Sequence, residues 1–61
     1  MMEMRIVTSD EWAEYCSAYP DGEYCRENGP NVLECVSKTT LLVIGRVEYH
    51  EDGTRTYYIS D

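Results

Sequence analysis

The C-terminal half of the chain most constrains the fold. From Val32 onward "VLECVS" and "TLLVIGRVEYH" are rich in β-branched and aromatic side chains, and "EDGT" separates them from "RTYYIS" as a hairpin signal. This part of the chain is expected to be sheet. With Asp52 and Gly53 as a two-residue turn, Glu51 opposes Thr54, His50 opposes Arg55, Tyr49 opposes Thr56, Glu48 opposes Tyr57 and Val47 opposes Tyr58. Period-2 alternation then places Leu41, Val43, Val47, Tyr49 and Tyr58 on one face. Leu42, Ile44, Arg46, Glu48, His50, Arg55, Tyr57 and Ile59 fall on the other.

The N-terminal half carries a helix signature. "MRIVT" reads as a strand, and the "TSDE" at its end fits a capping box in which Thr8 caps a helix and Glu11 reaches back to its amide. Trp12, Tyr15, Cys16 and Tyr19 then form one apolar stripe, with Asp10, Glu11 and Glu14 projecting from the opposite side. Pro20 ends this helix or opens the next. In "PDGEYCRENGP" an Asp before a short run and Asn-Gly-Pro after it predict about two turns of helix over residues 22–28, with an irregular loop as the alternative. The expectation is a single small α+β domain spanning residues 1–61, of order β-α-(α)-β-β-β, with a mainly antiparallel sheet and one helical segment packed on one face. A chain of 61 residues builds one thin core, which favours a binding surface over an active-site cleft.

Twelve acidic against five basic residues give a net charge of −7, which repels nucleic-acid phosphates and anionic membranes. Direct nucleic-acid or membrane binding is therefore not expected, whereas a basic protein partner is. The N-terminal "MMEMRIVTSDEW" lacks the pattern of a signal or transit peptide, and the apolar run "LLVI" is far short of the ~20 residues that span a bilayer. Three cysteines, an odd number, fit a reducing compartment. A cytoplasmic protein is expected.

Cys16, Cys25, Cys35 and His50 are four residues of zinc-ligand type. Their spacing, C-x8-C-x9-C-x14-H, lacks the short pairs with which one turn presents two ligands, so neither metal nor cofactor is expected; Cys16 and Cys35 read as small core residues. A Cys16–Cys25 disulfide would close only a short loop. The sequence contains no nucleophile elbow, phosphate-cradling glycine loop or His-Glu metal motif, and its one histidine adjoins a turn. No catalytic residue is expected.

The acids are unevenly placed. Residues 10–34 hold seven acids (Asp10, Glu11, Glu14, Asp21, Glu23, Glu27, Glu34) and one base, Arg26, a net of −6; the rest carries −1. Carboxylates three or four residues apart on a helix lie about 5–6 Å apart, of the same order as successive phosphates on one strand. Tyr24, among Glu23, Arg26 and Glu27, is the tyrosine expected to be exposed at an interface. Small size, acidity, tyrosine content and absence of catalytic motifs resemble the general profile of phage-encoded inhibitors of bacterial defence, such as anti-CRISPR and antirestriction proteins. The resemblance implies a nucleic-acid mimic acting in a host bacterial cytoplasm. In it Asp10, Glu11, Glu14, Asp21, Glu23 and Glu27 would occupy the basic groove of a nucleic-acid-binding effector complex, with Tyr24 as a central contact. The competing expectation is a non-catalytic structural or regulatory module, a homodimer through Leu42, Ile44, Tyr57 and Ile59 on the outer sheet face.

Overall fold

Thr8 separates a strand from a helix by satisfying the helix's first amides. Its hydroxyl accepts from the Glu11 amide at 3.2 Å, and the Glu11 carboxylate accepts from the Thr8 amide, also at 3.2 Å, so the expected capping box is formed. The computed structural model describes residues 4–20 and 22–60. Along them run β1 (Met4–Val7), α1 (Ser9–Ser17), β2 (Glu23–Glu27), β3 (Val32–Ser37), β4 (Val43–Tyr49) and β5 (Arg55–Ser60). All strands pair antiparallel in one sheet ordered β1-β5-β4-β3-β2, and α1 packs on one face of it, the expected α+β architecture.

Two sequence expectations fail, one of element type and one of register. Residues 22–28 are not a second helix: Glu23–Glu27 form the edge strand β2, paired with β3 from Glu23↔Ser37 to Glu27↔Leu33. So short a segment has no favourable helix nucleus, and the free edge of β3 offers its backbone a complete ladder. Asn28 to Asn31 supply the hairpin loop, closed by the Asn28 amide donating to the Val32 carbonyl at 2.9 Å.

The second failure is one of register. The β4–β5 loop has three residues, Glu51 to Gly53, because the His50 amide donates to the Thr54 carbonyl at 2.9 Å and Gly53 adopts φ +88°. Val47 therefore opposes Tyr57 rather than Tyr58, and Arg46 opposes Tyr58. This one-residue slip moves every β5 side chain to the opposite face from the one expected. Tyr57 packs against Trp12 with ring centroids 5.9 Å apart and planes tilted by 56°, while Tyr58 donates to Glu48 on the far side.

The core lies between α1 and the sheet. The row Cys25, Cys35, Gly45, Ile59, Arg5 crosses all five strands on the helix side. Over it Cys16, Cys35 and Ile44 form a buried cluster flanked by Trp12, Tyr15 and Tyr19. A bulge between Cys35 and Val36 adds Ile44 to the register, so Ile44 and its neighbour Gly45 both serve the helix side. Gly45 is the point of closest approach: a Cβ there would lie 2.8 Å from Cys16 Sγ and 2.9 Å from Trp12 Nε1. Tyr15 fastens the helix to the last strand by donating to the Ser60 carbonyl at 2.7 Å.

The opposite face is a polar ladder. Arg26, Glu34, Arg46, Tyr58 and Ile6 form its middle row, in which Arg26 pairs with Glu34 at 3.2 Å and Arg46 with the neighbouring Glu48. Asn28 donates to the second oxygen of the buried Glu34 carboxylate, so that charge is held on both sides.

Gly45→Ala is expected to destabilise the fold by about 1–3 kcal/mol through overpacking against Trp12 and Cys16, read from urea unfolding. For the cap, hydrogen bonds from the Thr8 amide and hydroxyl hold the Glu11 carboxyl below its ordinary value. A depressed folded pKa stabilises above the unfolded carboxyl value of about 4.3 and is lost as pH falls through the folded value. The stability advantage of the wild type over Glu11→Gln should therefore be present at neutral pH and vanish on acidification through that range. A difference that does not change with pH would refute the charged cap.

Candidate functional site

The acidic residues expected to share one surface are divided by the helix. Asp10, Glu11 and Glu14 are exposed along α1. Glu23 and Glu27 lie on the helix side of the sheet, but on edge strand β2, whereas α1 rests on β4 and β5. Tyr24, opposite Val36, alternates with them and so points to the other face, 38% exposed. It cannot be the centre of a contact made by Glu23 and Glu27. Asp21 lies outside the described residues.

The expected outer patch is dismantled in the same way. Ile44 and Ile59 are 2% and 3% exposed beneath the helix, and Tyr57 packs on Trp12. Only Leu42 remains open, beside Leu41 in the β3–β4 turn, where Leu41 takes the left-handed φ of 63°. The outer face carries the Arg26–Glu34 and Arg46–Glu48 pairs among the exposed Ile6 and Tyr24, so a homodimer through that face would not use Ile44, Tyr57 or Ile59.

Two arrangements remain that bring chemistry together. The first is a groove of about 480 Å³ between α1 and the β1–β5 edge. Tyr15, Ala18, Tyr19, Pro20 and Ile59 give it an apolar floor, and Glu11, Glu14 and Arg5 line it with charge. The tilted Tyr15 and Tyr19 rings, with centroids 6.1 Å apart, stiffen that floor. Pro20, which disfavours helical geometry at the preceding residue, keeps the chain from continuing α1 and sets the end of the groove.

The second gathers all three cysteines. Cys25 and Cys35 are directly opposite in the β2–β3 register, and Glu23, two residues before Cys25, shares their face. One ligand atom from each of Glu23, Cys25 and Cys35 lies within 4.8 Å of the others. The Cys35 thiol donates to Glu23 Oε2 at 3.4 Å, and Cys16 meets Cys35 from the helix above. Burial pushes both Cys16 and Cys35 thiols above their ordinary range, with Glu23 and Cys25 adding to the effect. His50 does not belong to the group: it hydrogen-bonds Thr56 at 2.7 Å at the far hairpin.

The convergence was concealed by reading residues 22–28 as helix. Its signal is present in "EYCRENGPNVLEC": E-x-C places Glu23 and Cys25 on one strand face, and a loop centred on Pro30, midway between Cys25 and Cys35, sets them opposite each other.

No helix among the described residues is long and apolar enough to cross a membrane. In chelator-treated, reduced protein, Cys25, the exposed cysteine, is expected to react with a thiol reagent in a fast phase. Cys16 and Cys35 should react only at the rate of opening or in denaturant, giving one fast thiol of three. Three equally fast thiols would contradict the buried pair. Compared with known proteins, the chain matches no family model, no curated protein and no solved structure.

Proposed function

We propose that this chain acts by binding a basic protein surface, with the groove between α1 and β1–β5 as the contact site. The observation that supports this reading is the pairing of an apolar floor with the carboxylates of Glu11 and Glu14 beside it. A Lys or Arg side chain suits such a site, since its methylenes cover apolar surface while its head meets carboxylates. The Thr8 amide and hydroxyl, and to a lesser degree Arg5 at the same edge, hold the Glu11 carboxyl below its ordinary value.

The partner class follows from charge. The exposed carboxylates of Asp10, Glu11 and Glu14 along α1 complement the Lys/Arg-lined groove of a nucleic-acid-binding protein, whose occupation would block its ligand. Inhibition of such an effector in a bacterial cytoplasm, the role implied by the profile of phage-encoded defence inhibitors, is the specific form of this proposal. The contact differs from the seven-residue surface expected from sequence: it centres on Glu11, Glu14 and the Tyr15–Tyr19 floor, with Asp10 beside it, and leaves Tyr24 aside.

Capture from a bacterial lysate with mass spectrometry should retain basic nucleic-acid-binding proteins, and heparin should displace them. Retention should weaken as salt rises, because exposed charge contacts are screened over a Debye length of about 8 Å at physiological ionic strength. Paired Glu11→Lys and Glu14→Lys substitutions should abolish retention, while Glu23→Lys, on the β2 side, should reduce it far less. Retention indifferent to salt and to the paired reversal would sink the proposal.

A further inference from the structure

We propose that Glu23, Cys25 and Cys35, completed by Cys16 from the helix, form a binding site for a thiophilic divalent cation, with zinc the best match in ligand preference. Three sulfurs and a carboxylate oxygen are a donor set that zinc takes in four-coordinate form. With metal–sulfur bonds of about 2.3 Å and metal–oxygen bonds of about 2.0–2.2 Å, ligand atoms around a tetrahedral ion sit roughly 3.4–3.8 Å apart. The Cys35 Sγ to Glu23 Oε2 separation of 3.4 Å already has that length, and the third ligand atom is within 4.8 Å of both. A small inward shift of side chains, with no change of register, brings these three together, whereas Cys16, outside the 4.8 Å group, must turn its thiol toward them from the helix above.

Packing alone does not explain these residues. Cys25 is exposed, so it fills no core space, and it gives an ion a route of entry. Glu23 is half-buried and turns its carboxylate onto a thiol rather than into solvent. Trp12 supplies a further sign. Its buried indole N–H has no hydrogen-bond partner among the described residues, and both Trp12 Nε1 and Cys16 Sγ lie within 3 Å of one point above Gly45, at 2.9 and 2.8 Å. A thiolate at Cys16 would give that N–H an acceptor, the kind of outer contact that orients metal ligands. Binding takes the protons from three thiols and releases them to solvent, so uptake should fall as pH is lowered. The bound ion would join α1 to β2 and β3, which the Arg26–Glu34 pair already ties to each other.

The test uses the intact chain, stripped of metal and fully reduced in the absence of oxygen, titrated with Co²⁺ and then Zn²⁺. One equivalent of Co²⁺ should produce a thiolate-to-cobalt charge-transfer band and the visible absorption of a tetrahedral site, both abolished by Zn²⁺. Cys25→Ser and Glu23→Gln, which alter a part-exposed edge, should fold and bind Co²⁺ at least about 10-fold more weakly, no less than an outer-shell change costs. His50→Ala should bind unchanged. Zinc should also raise the unfolding midpoint of the wild type and not of Cys25→Ser. The proposal fails if reduced protein takes up no Co²⁺, if the bound ion shows no thiolate charge transfer, or if Cys25→Ser and Glu23→Gln bind as the wild type does. A Cys25–Cys35 disulfide in air-exposed protein, with no metal uptake after reduction, would overturn it as well.

Discussion

The absence of a side chain at Gly45 determines how near the helix can come to the sheet. Trp12 and Cys16 occupy the space that any Cβ would take, within 3 Å of its position. That approach lets a helix of nine residues shield the centre of a five-stranded sheet. Raised by even a methyl group, α1 would lose contact on both sides of this point, toward Cys35 and toward Ile59. In so small a domain that contact is most of the core, because a chain of this size leaves about 40% of its unfolded surface still exposed. The bulge that brings Ile44 to the same side compensates for the missing bulk of glycine.

How much of this was legible depended on whether a signal was local. The capping box of Thr8 and Glu11 and the stripe of Trp12, Tyr15 and Cys16 were readable, since each involves residues within one or two turns. The β4–β5 hairpin was readable as a hairpin but not in register. "EDG" accommodates a two- or a three-residue loop, and the choice was decided by Tyr57 finding Trp12 across the domain. β2 was misread because Glu23, Arg26 and Glu27 are good helix formers. Pairing with β3, invisible to propensity, prevailed. The thiol cluster depended on that same pairing, so one misread element concealed the chemistry of three cysteines, while the acids of α1 could be placed from the helix alone.

The charge pattern also takes on meaning from the fold. On the sheet's outer face, Arg26 and Arg46 are occupied by Glu34 and Glu48, two balanced pairs set among apolar side chains such as Ile6 and Tyr24. Asp10, Glu11 and Glu14 lie apart from it on the helix. Acidity that looked like a property of residues 10–34 as a block is thus concentrated by balance elsewhere. The edge strand β2 follows the same logic, since charged side chains along a free edge discourage another chain from adding to the sheet.

The order of strands bears on how the chain completes itself. From β2 to β5 the sheet is a meander in which each strand pairs with its sequence neighbour, so these contacts are local and quick to find. β1 is different: Met4 pairs with Ser60, and Tyr15 reaches the Ser60 carbonyl, joining the two ends of the chain. The first strand and the helix have neither their edge nor their floor until Ile59 and Ser60 are in place. The sheet is therefore closed by β5, and α1 has no place to settle until that strand has formed.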